Sequence, residues 1–311
     1  MNNPASRDLL KERTLRIRAP AKLNLGLRIG RRRDDGFHSI DTIFQTISIF
    51  DNLSLTFDPS LSRDELEIVG PESFPPERSN LVLQALRKLR SAGHDIPYAQ
   101  VKLEKQIPLG SGMGGGSSNA AAILHSACLL ENLEPNNSSI ERLAVELGAD
   151  VPFFLQGGTA RGQGIGEKLD SLADLEGYVL AVVPPISVDT AWAYSHFDEF
   201  LPDDREEFEP LISTGDSQNS HAWKQWSLEN DFLPLLEESY DCYQTLLPVL
   251  RNLSESVSLS GSGSTLYALF DNQGDAVAGE KSVRDQVSRD VLTFQAEFLG
   301  SDQIPCFVEM D

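Results

Sequence analysis

From Leu15 to Ile29 every second residue is apolar: Leu15, Ile17, Ala19, Ala21, Leu23, Leu25, Leu27 and Ile29. Arg16, Arg18, Pro20, Lys22, Asn24, Gly26 and Arg28 fill the alternate positions. A period of two predicts an extended strand with one buried face. It also sets Lys22 and Asn24 on the same side, about 7 Å apart. On a sheet face most lysines are simply solvated, and Lys22 taken alone reads that way. Further strands are predicted over Ile43–Phe50, Leu53–Phe57 and near Leu66–Val69, and Val101, Leu103 and Ile107 alternate again. Between them the spacing turns helical at Leu81, Ala85, Leu86 and Leu89, with Ser79 or Asn80 as the cap and Gly93 as the stop. Ser138-Ser-Ile-Glu141 has the form of a capping box, opening a helix with Ile140, Leu143, Ala144 and Leu147 inward and Gly148 at its end.

The second half repeats the mixture. A glycine-spaced strand runs from Gly157 to Gly166 and ends near Leu172, and Tyr178–Val183 reads as the next strand. A helix capped by Asp189 or Thr190 holds Trp192 and Tyr194; others are predicted near Ser227–Glu238, Tyr240–Asn252 and Asp275–Arg289. Val257–Phe270 reads as strand, glycine turn, strand, and Ile304–Val308 as the last strand. Residues 1–13 read as a loose extension, Pro71–Pro76 as a turn-rich loop, and 202–222 as an acidic, exposed insertion with no inferred role. The expectation is an α+β sandwich in two domains, 1–172 and 173–311.

The stretch Ile107-Pro-Leu-Gly-Ser-Gly-Met-Gly-Gly-Gly-Ser-Ser-Asn119 interrupts this patterning. Five of the seven residues from Gly110 to Gly116 are glycine, and an alanine-rich helix follows a strand across it. Ser117, Ser118 or Asn119 is the expected helix cap. Strand, glycine loop and helix together build an anion seat. Backbone N–H groups converge where no Cβ intrudes, and the helix end adds a partial charge of roughly +0.5. A P-loop requires Gly-Lys-Ser/Thr at its end, and no lysine follows Gly116. Gly110-Ser-Gly-Met-Gly-Gly115 matches G-x-G-x-x-G, but Glu131, the acid about 20 residues on, falls in a loop-like segment where the dinucleotide fold requires a strand end. A glycine turn that binds nothing is the remaining alternative, and it leaves the entropic cost of so many ordered glycines without a return.

Composition narrows the class. The formal charge of the 311-residue chain is −21 with a pI near 4.6, which disfavours nucleic acid and anionic membranes as partners. No apolar run approaches the ~20 residues of a membrane span, and residues 1–18 lack the apolar region of a secretory signal. Cys128, Cys242 and Cys306 are odd in number and widely spaced, the usage of free thiols in a reducing cytoplasm.

Three other places hold candidate chemistry. Asp150 is a charge inside the otherwise apolar Ala149-Asp-Val-Pro-Phe-Phe154, so it is paired, bonded to turn amides, or functional. Phe37-His38 follows the Asp35-Gly36 turn; the pair is either edge packing or a stacking face plus a hydrogen-bonding ring for a flat heterocycle. Gly261-Ser262-Gly263 is a second glycine turn, which by itself reads as an ordinary hairpin.

Pro-x-x-x-Gly-x-Gly-Gly-Gly-Ser-Ser-x-Ala, here Pro108 to Ala120, resembles the phosphate loop of the GHMP small-molecule kinases. The resemblance extends in order through Ala19-Pro-Ala-Lys-Leu-Asn-Leu25, Asp35-Gly-Phe-His-Ser-Ile-Asp-Thr-Ile-Phe-Gln45, Leu147-Gly-Ala-Asp-Val-Pro-Phe153 and Leu259-Ser-Gly-Ser-Gly-Ser264. It covers nearly the whole chain from residue 14 on. The Pro-Ala-Lys-Leu-Asn and Asp-Gly-Phe-His motifs are similar to those of the branch that phosphorylates the 2-hydroxyl of a cytidylyl methylerythritol in non-mevalonate isoprenoid synthesis. That resemblance implies a two-domain GHMP kinase fold, with an N-terminal domain like domain 2 of ribosomal protein S5 and a ferredoxin-like C-terminal domain. It implies Lys22 and Asp150 as catalytic residues. It also implies ATP held by Pro108, Leu109, Gly110, Ser111, Gly112, Met113, Gly114, Gly115, Gly116, Ser117 and Ser118. The cytidylyl substrate would meet Asn24, Phe37, His38 and Tyr194, with Gly261, Ser262 and Gly263 lining the phosphate site. Mg²⁺ is implied with the polyphosphate, and no ligand for it is assigned. Phe37 stands where the branch commonly has Tyr, a change that keeps the stacking face. The rivals are a GHMP kinase acting on homoserine, mevalonate or a sugar, and a non-catalytic nucleotide sensor, against which the presence of both Lys22 and Asp150 counts.

Overall fold

A computed structural model describes residues 14–70, 79–200, 210–212, 219–304 and 306–310. The expectations for residues 1–13 and 71–76, and for most of 202–222, fall outside these. Two long strands, β1 (Thr14–Arg32) and β2 (His38–Phe57), form the spine. With β3 (Glu65–Val69), β4 (Ala99–Glu104), β5 (Thr159–Gly164), β6 (Lys168–Ser171) and β11 (Cys306–Met310) they make one sheet in the order β11-β1-β2-β4-β3, with β5 on β2 and β6 on β5. The second sheet has the order β10-β7-β9-β8, from β7 (Tyr178–Val183), β8 (Val257–Leu259), β9 (Leu266–Phe270) and β10 (Leu292–Glu297). The last strand therefore crosses back and pairs antiparallel with β1.

Three apolar clusters set the layers. Helices α1 (Leu81–Ser91), α2 (Gly115–Glu131), α3 (Ser138–Leu147) and α4 (Val151–Gln156) pack their buried residues on the first sheet through Leu15, Ile17, Phe44, Leu53 and Leu55. The two sheets meet through Ala21, Leu23, Leu25, Ile43 and Ile47 on one side and Val179, Ala181, Tyr267 and Leu269 on the other. Helices α5 (Thr190–Phe200), α6 (Leu233–Ser239), α7 (Asp241–Arg251) and α8 (Gln273–Gln286) cover the outer face of the second sheet. Each layer hides one apolar face of its neighbour, so helix, sheet, sheet, helix follows from the patterning.

The strand β1 departs from its expected one-sided burial. Its register against β2 shifts between Pro20 and Ala21. Before the shift Leu15, Ile17 and Ala19 lie under the helices; after it Ala21, Leu23 and Leu25 lie between the sheets. An irregularity of this kind re-aims side chains, and here it turns Lys22 and Asn24 towards the helical side. Both are buried, at 3% and 2% exposure, so the solvated reading of Lys22 fails.

Several local expectations are corrected. α3 is capped by Asn137, whose side chain accepts from the Ser139 amide, one residue ahead of the predicted capping box. The helix expected from Ser227 begins only at Leu233, because Leu27 pairs with residues 229 and 231 through its backbone and holds that segment extended. Strand β10 was not foreseen; Leu292, Phe294 and Ala296 alternate, but Leu292 is exposed, Phe294 half-buried and only Ala296 buried, a weak signal after a helix. Within the segment read as an exposed insertion, Leu211 and Ile212 are buried between the layers, and the Leu211 amide donates to Asp41 Oδ2 at 3.0 Å.

Candidate active site

The centre is assembled where the helical side of β1 meets the glycine loop. The Lys22 amide donates to the Met113 carbonyl at 3.0 Å, which fixes the strand against the loop. Its ammonium, Nζ, lies 3.6 Å from Asp150 Oδ2 and bonds Asn24 Oδ1. Asn24 Nδ2 donates to Thr42 Oγ1 at 2.8 Å, and that hydroxyl donates to the Gly26 carbonyl at 2.7 Å. The amide orientation of Asn24 and the position of Lys22 are thus set by a chain of donors and acceptors running back into the sheet. The Phe44 ring centroid lies 5.6 Å from the ammonium. Burial pushes Lys22 below its ordinary pKa of 10.5, and the Asp150 charge and hydrogen bond offset part of that fall.

Asp150 stands at the cap position of α4, yet its side chain makes no capping bond. The turn-aspartate alternative is therefore not what this residue does. It is one-third exposed, at 32%, and faces Lys22.

The glycine loop carries a further correction. α2 begins at Gly115, and its cap residue is Gly114 in a left-handed conformation, φ 71°, with no side-chain cap. Ser117, Ser118 and Asn119 lie within the helix instead of capping it. The Ser118 amide already bonds the Gly114 carbonyl at 3.0 Å. An uncapped first turn keeps its leading N–H groups for an anion. Two positions show why glycine is needed. A Cβ on Gly112, φ 76°, would come 2.2 Å from the Ser260 carbonyl oxygen, and one on Gly114 would meet Phe154 at 2.9 Å and Lys22 Cγ at 3.1 Å.

The second glycine turn closes over the same centre. Ser260 Oγ donates to the Gly112 carbonyl at 2.9 Å and accepts from the Asn24 amide at 3.2 Å; the Thr265 amide donates to the Ser111 carbonyl at 3.1 Å. A Cβ on Gly261 would stand 3.3 Å from Asn24 Oδ1 and 3.5 Å from Lys22 Nζ, so this turn roofs the pair. Asn230 Nδ2 holds the turn by donating to the Leu259 and Gly261 carbonyls at 2.8 and 2.9 Å. Ser262 Oγ lies 3.0 Å from Thr190 Oγ1, at the start of α5.

His38 sits at the other end of the cleft, buried at 8% exposure. Its Nδ1 donates to the Gly30 carbonyl at 2.9 Å and its Nε2 faces Asp198 Oδ1 at 3.1 Å. With a partner on each nitrogen, the ring has no edge left for a ligand. Tyr194 stacks on it, centroids 5.3 Å apart at 19°. Burial, with the Asp150 charge adding to it, pushes the Tyr194 phenol up to about 12, so the aromatic end and the Lys22–Asp150 pair share one field. Phe37 is 59% exposed.

Lys22, Asn24, Asp150, the loop 108–118 and the turn 261–263 are brought together; Tyr194 and His38 adjoin them; Phe37 stands out in solvent. Sequence reasoning missed Thr42, Asn230, Asp198 and Ser260. Ser260 lay inside the Leu259–Ser264 motif and Thr42 inside the Asp35–Gln45 motif without being assigned a role, whereas Asn230 and Asp198 are single polar residues whose partners are distant in the chain. A cavity of about 660 Å³ lies elsewhere, outside α1 among Arg63, Asp64, Arg87, Arg90 and Tyr98; Arg90 there is tied to Asp64 and to the Pro97 carbonyl. Its size does not make it the site, because none of the converging groups above lines it.

The profile of the GHMP kinases N terminal domain matches residues 80–158, spanning the glycine loop and Asp150. The chain is 36% identical over 290 residues to the 4-diphosphocytidyl-2-C-methyl-D-erythritol kinase of Chlorobaculum parvum, covering 90% of this chain and 98% of that one. It belongs to the 4-diphosphocytidyl-2-C-methyl-D-erythritol kinase family of GHMP kinases. The Methylococcus capsulatus kinase of the same name is 34% identical, with 93% of this chain and 92% of that one covered. A crystal structure of 4-(cytidine 5'-diphospho)-2C-methyl-D-erythritol kinase superposes with a TM-score of 0.73 at 29% identity, over 92% of this chain and 99% of that one. The mevalonate kinase of L. major superposes at 0.66 with 16% identity, which shows a shared fold. A family kinase of this kind takes ATP as its co-substrate. Among the described residues no helix is long and apolar enough to cross a membrane.

Proposed function

We propose that the chain transfers the γ-phosphoryl group of ATP to the 2-hydroxyl of 4-diphosphocytidyl-2-C-methyl-D-erythritol in the cytoplasm, giving the 2-phosphate and ADP. The observation that carries this reading is the Lys22 ammonium 3.6 Å from the Asp150 carboxylate, beside an uncapped glycine-rich helix start. The glycine loop, 108–118, takes the polyphosphate on its bare amides. Asp150 faces the acceptor hydroxyl and receives its proton as the oxygen bonds to the γ-phosphorus and the bond to the β-phosphate oxygen breaks. Lys22 holds Asp150 in place and offsets the charge carried by the transferring group. Alignment and neutralisation are most of what phosphoryl transfer requires. Asn24 and the roof 261–263 confine the acceptor, while His38, Tyr194 and Phe37 supply stacking faces for its cytosine. Residues 1–172 supply the loop and the catalytic pair, and 173–311 the roof and Tyr194.

The residues present fit a magnesium ion that arrives with the nucleotide. Among the described residues no group of three or more His, Cys, Asp or Glu forms a metal cage, yet Ser118 Oγ, a hard oxygen in the first turn of α2, is buried without a partner and would hold the ion. An ion held mainly by phosphate oxygens needs no more from the protein than one or two such ligands. When bound it neutralises charge on the polyphosphate.

The test is a coupled kinase assay with ATP and a panel of acceptor alcohols: the cytidylyl methylerythritol, homoserine, mevalonate and a sugar. Turnover confined to the cytidylyl acceptor, and lost in Lys22→Met, supports the proposal. Preference for another acceptor, or no turnover with any, refutes it.

A further inference from the structure

Asp51 lies in the second half of β2, fully buried at 0% exposure, and takes no part in the chemistry above. Its carboxylate is saturated. Oδ1 accepts from the amides of Gln106 and Ile107 at 2.8 and 2.9 Å. Oδ2 accepts from Lys105 Nζ at 2.5 Å and from Asn119 Nδ2 at 3.0 Å. Ile107 is the last residue before the phosphate loop and Asn119 the first after it, so one buried carboxylate grips both ends of the loop 108–118. Lys105 is itself buried, and its ammonium lies 3.0 Å from where a Cβ on Gly115 would stand, directly beneath the uncapped helix start.

A glycine loop is conformationally free, and that freedom works against anion binding unless something removes it before the ligand arrives. The middle of the loop is held by Lys22, Ser260 and Thr265. Its two ends are held by Asp51.

We propose that Asp51 is the positioning residue of the ATP loop: by tying the amides of 106 and 107 and the Asn119 side chain to one point, it sets the loop's mouth at the width at which the bare amides converge on a phosphate. It touches no substrate and acts through the loop. The proposal rests on the reading of 108–118 as the ATP phosphate site.

The experiment measures KM for ATP, KM for the cytidylyl acceptor, kcat and the melting temperature for Asp51→Asn, Asn119→Ala, Gly116→Ala and the pair Asp51→Ala with Lys105→Met. The expected result is a rise in the ATP KM of about tenfold in Asp51→Asn and several-fold in Asn119→Ala, with the acceptor KM within about twofold of wild type. The double variant removes the buried charge imbalance, so its melting temperature recovers relative to Asp51→Asn while its ATP KM stays raised. A role limited to neutralising Lys105 predicts the opposite, recovery of both, and overturns the proposal. So does an unchanged ATP KM in folded Asn119→Ala and Asp51→Asn, or an equal rise in both KM values. Should Asp51→Asn fail to fold, Asn119→Ala and the double variant decide. Gly116→Ala separates the two layers of the argument. Its Cβ would meet only Leu81 Cδ1, at an ordinary 3.6 Å, so it spares the fold and obstructs only a close ligand. A raised ATP KM there with none in the Asp51 set sinks the positioning role alone; no change there sinks the loop reading and the positioning role with it.

Discussion

The proposed reaction end of the site, around Lys22, and its proposed base end, around His38, are built differently. Lys22 and Asn24 are buried and cross-bonded from β1, β2 and both glycine turns, with their side-chain partners already in place. At the base end His38 is locked by Gly30 and Asp198, Tyr194 leans on its ring, and Phe37 lies open to solvent. The contrast fits what each end must do. Charge stabilisation gains from groups fixed before the reaction, whereas a stacking site for a flat ring gains from a face that can close on it. One end is organised in advance; the other keeps an exposed ring, Phe37.

The comparison breaks first at the proposed catalytic pair. Lys22→Met or Asp150→Ala is expected to lower kcat by on the order of 10²–10⁴ with the fold retained, read by steady-state kinetics beside circular dichroism. Near-normal turnover in either variant removes that residue from the chemistry. Next is the seam that fixes this end. Gly112→Ala forces a left-handed backbone on a residue with a Cβ and drives it into the Ser260 carbonyl, so chemical denaturation should show a loss of about 2–5 kcal/mol. A stable Gly112→Ala protein would mean that the two glycine turns are not tightly joined.

The base end should respond more gently and to one ligand only. Phe37→Ala or His38→Ala is expected to raise the KM for the cytidylyl acceptor by about tenfold and leave that for ATP unchanged, since a base–aromatic stack contributes on the order of 1–3 kcal/mol. Equal weakening of both ligands would argue against a cytosine contact. The smallest effect is in pH. Lys22 is depressed by burial and partly restored by Asp150, so activity that needs the ammonium should fall on the alkaline side below pH 10.5. Residual activity of Asp150→Asn should fall at a still lower pH, because the restoring charge is gone. The same depression means the unfolded chain binds more protons at this group between its folded value and 10.5, so stability from Lys22 rises with pH across that window. An alkaline limb that moves upward in Asp150→Asn would contradict the pairing.

How much of this was legible can be traced residue by residue. The anion seat was readable because its requirements are local: glycines with no Cβ and a helix start follow one another in sequence. The cap was misplaced for the same reason, since Ser117 and Ser118 are good caps by type and only the chain path shows that the helix begins earlier, at Gly115. Asp150 could be flagged as a charge in an apolar run but not assigned a partner. Thr42 stood in a motif that gave it no role, and Asn230 and Asp198 gave no signal, because each acts on a group far away in the chain.

The sequence by itself determined the strand and helix periods, the glycine loop and the set of residues able to do this chemistry, because those depend on spacing and side-chain type alone. Tertiary structure decided which face of β1 carries Lys22. A period of two fixes only that Lys22 and Asn24 share a side; the shift at Pro20–Ala21, imposed by pairing with β2, turns that side towards Asp150 and the loop. Burial then follows from the layers above and below, and with it the depressed ammonium and the closed carboxylate of Asp51, neither of which any stretch of chain could set alone.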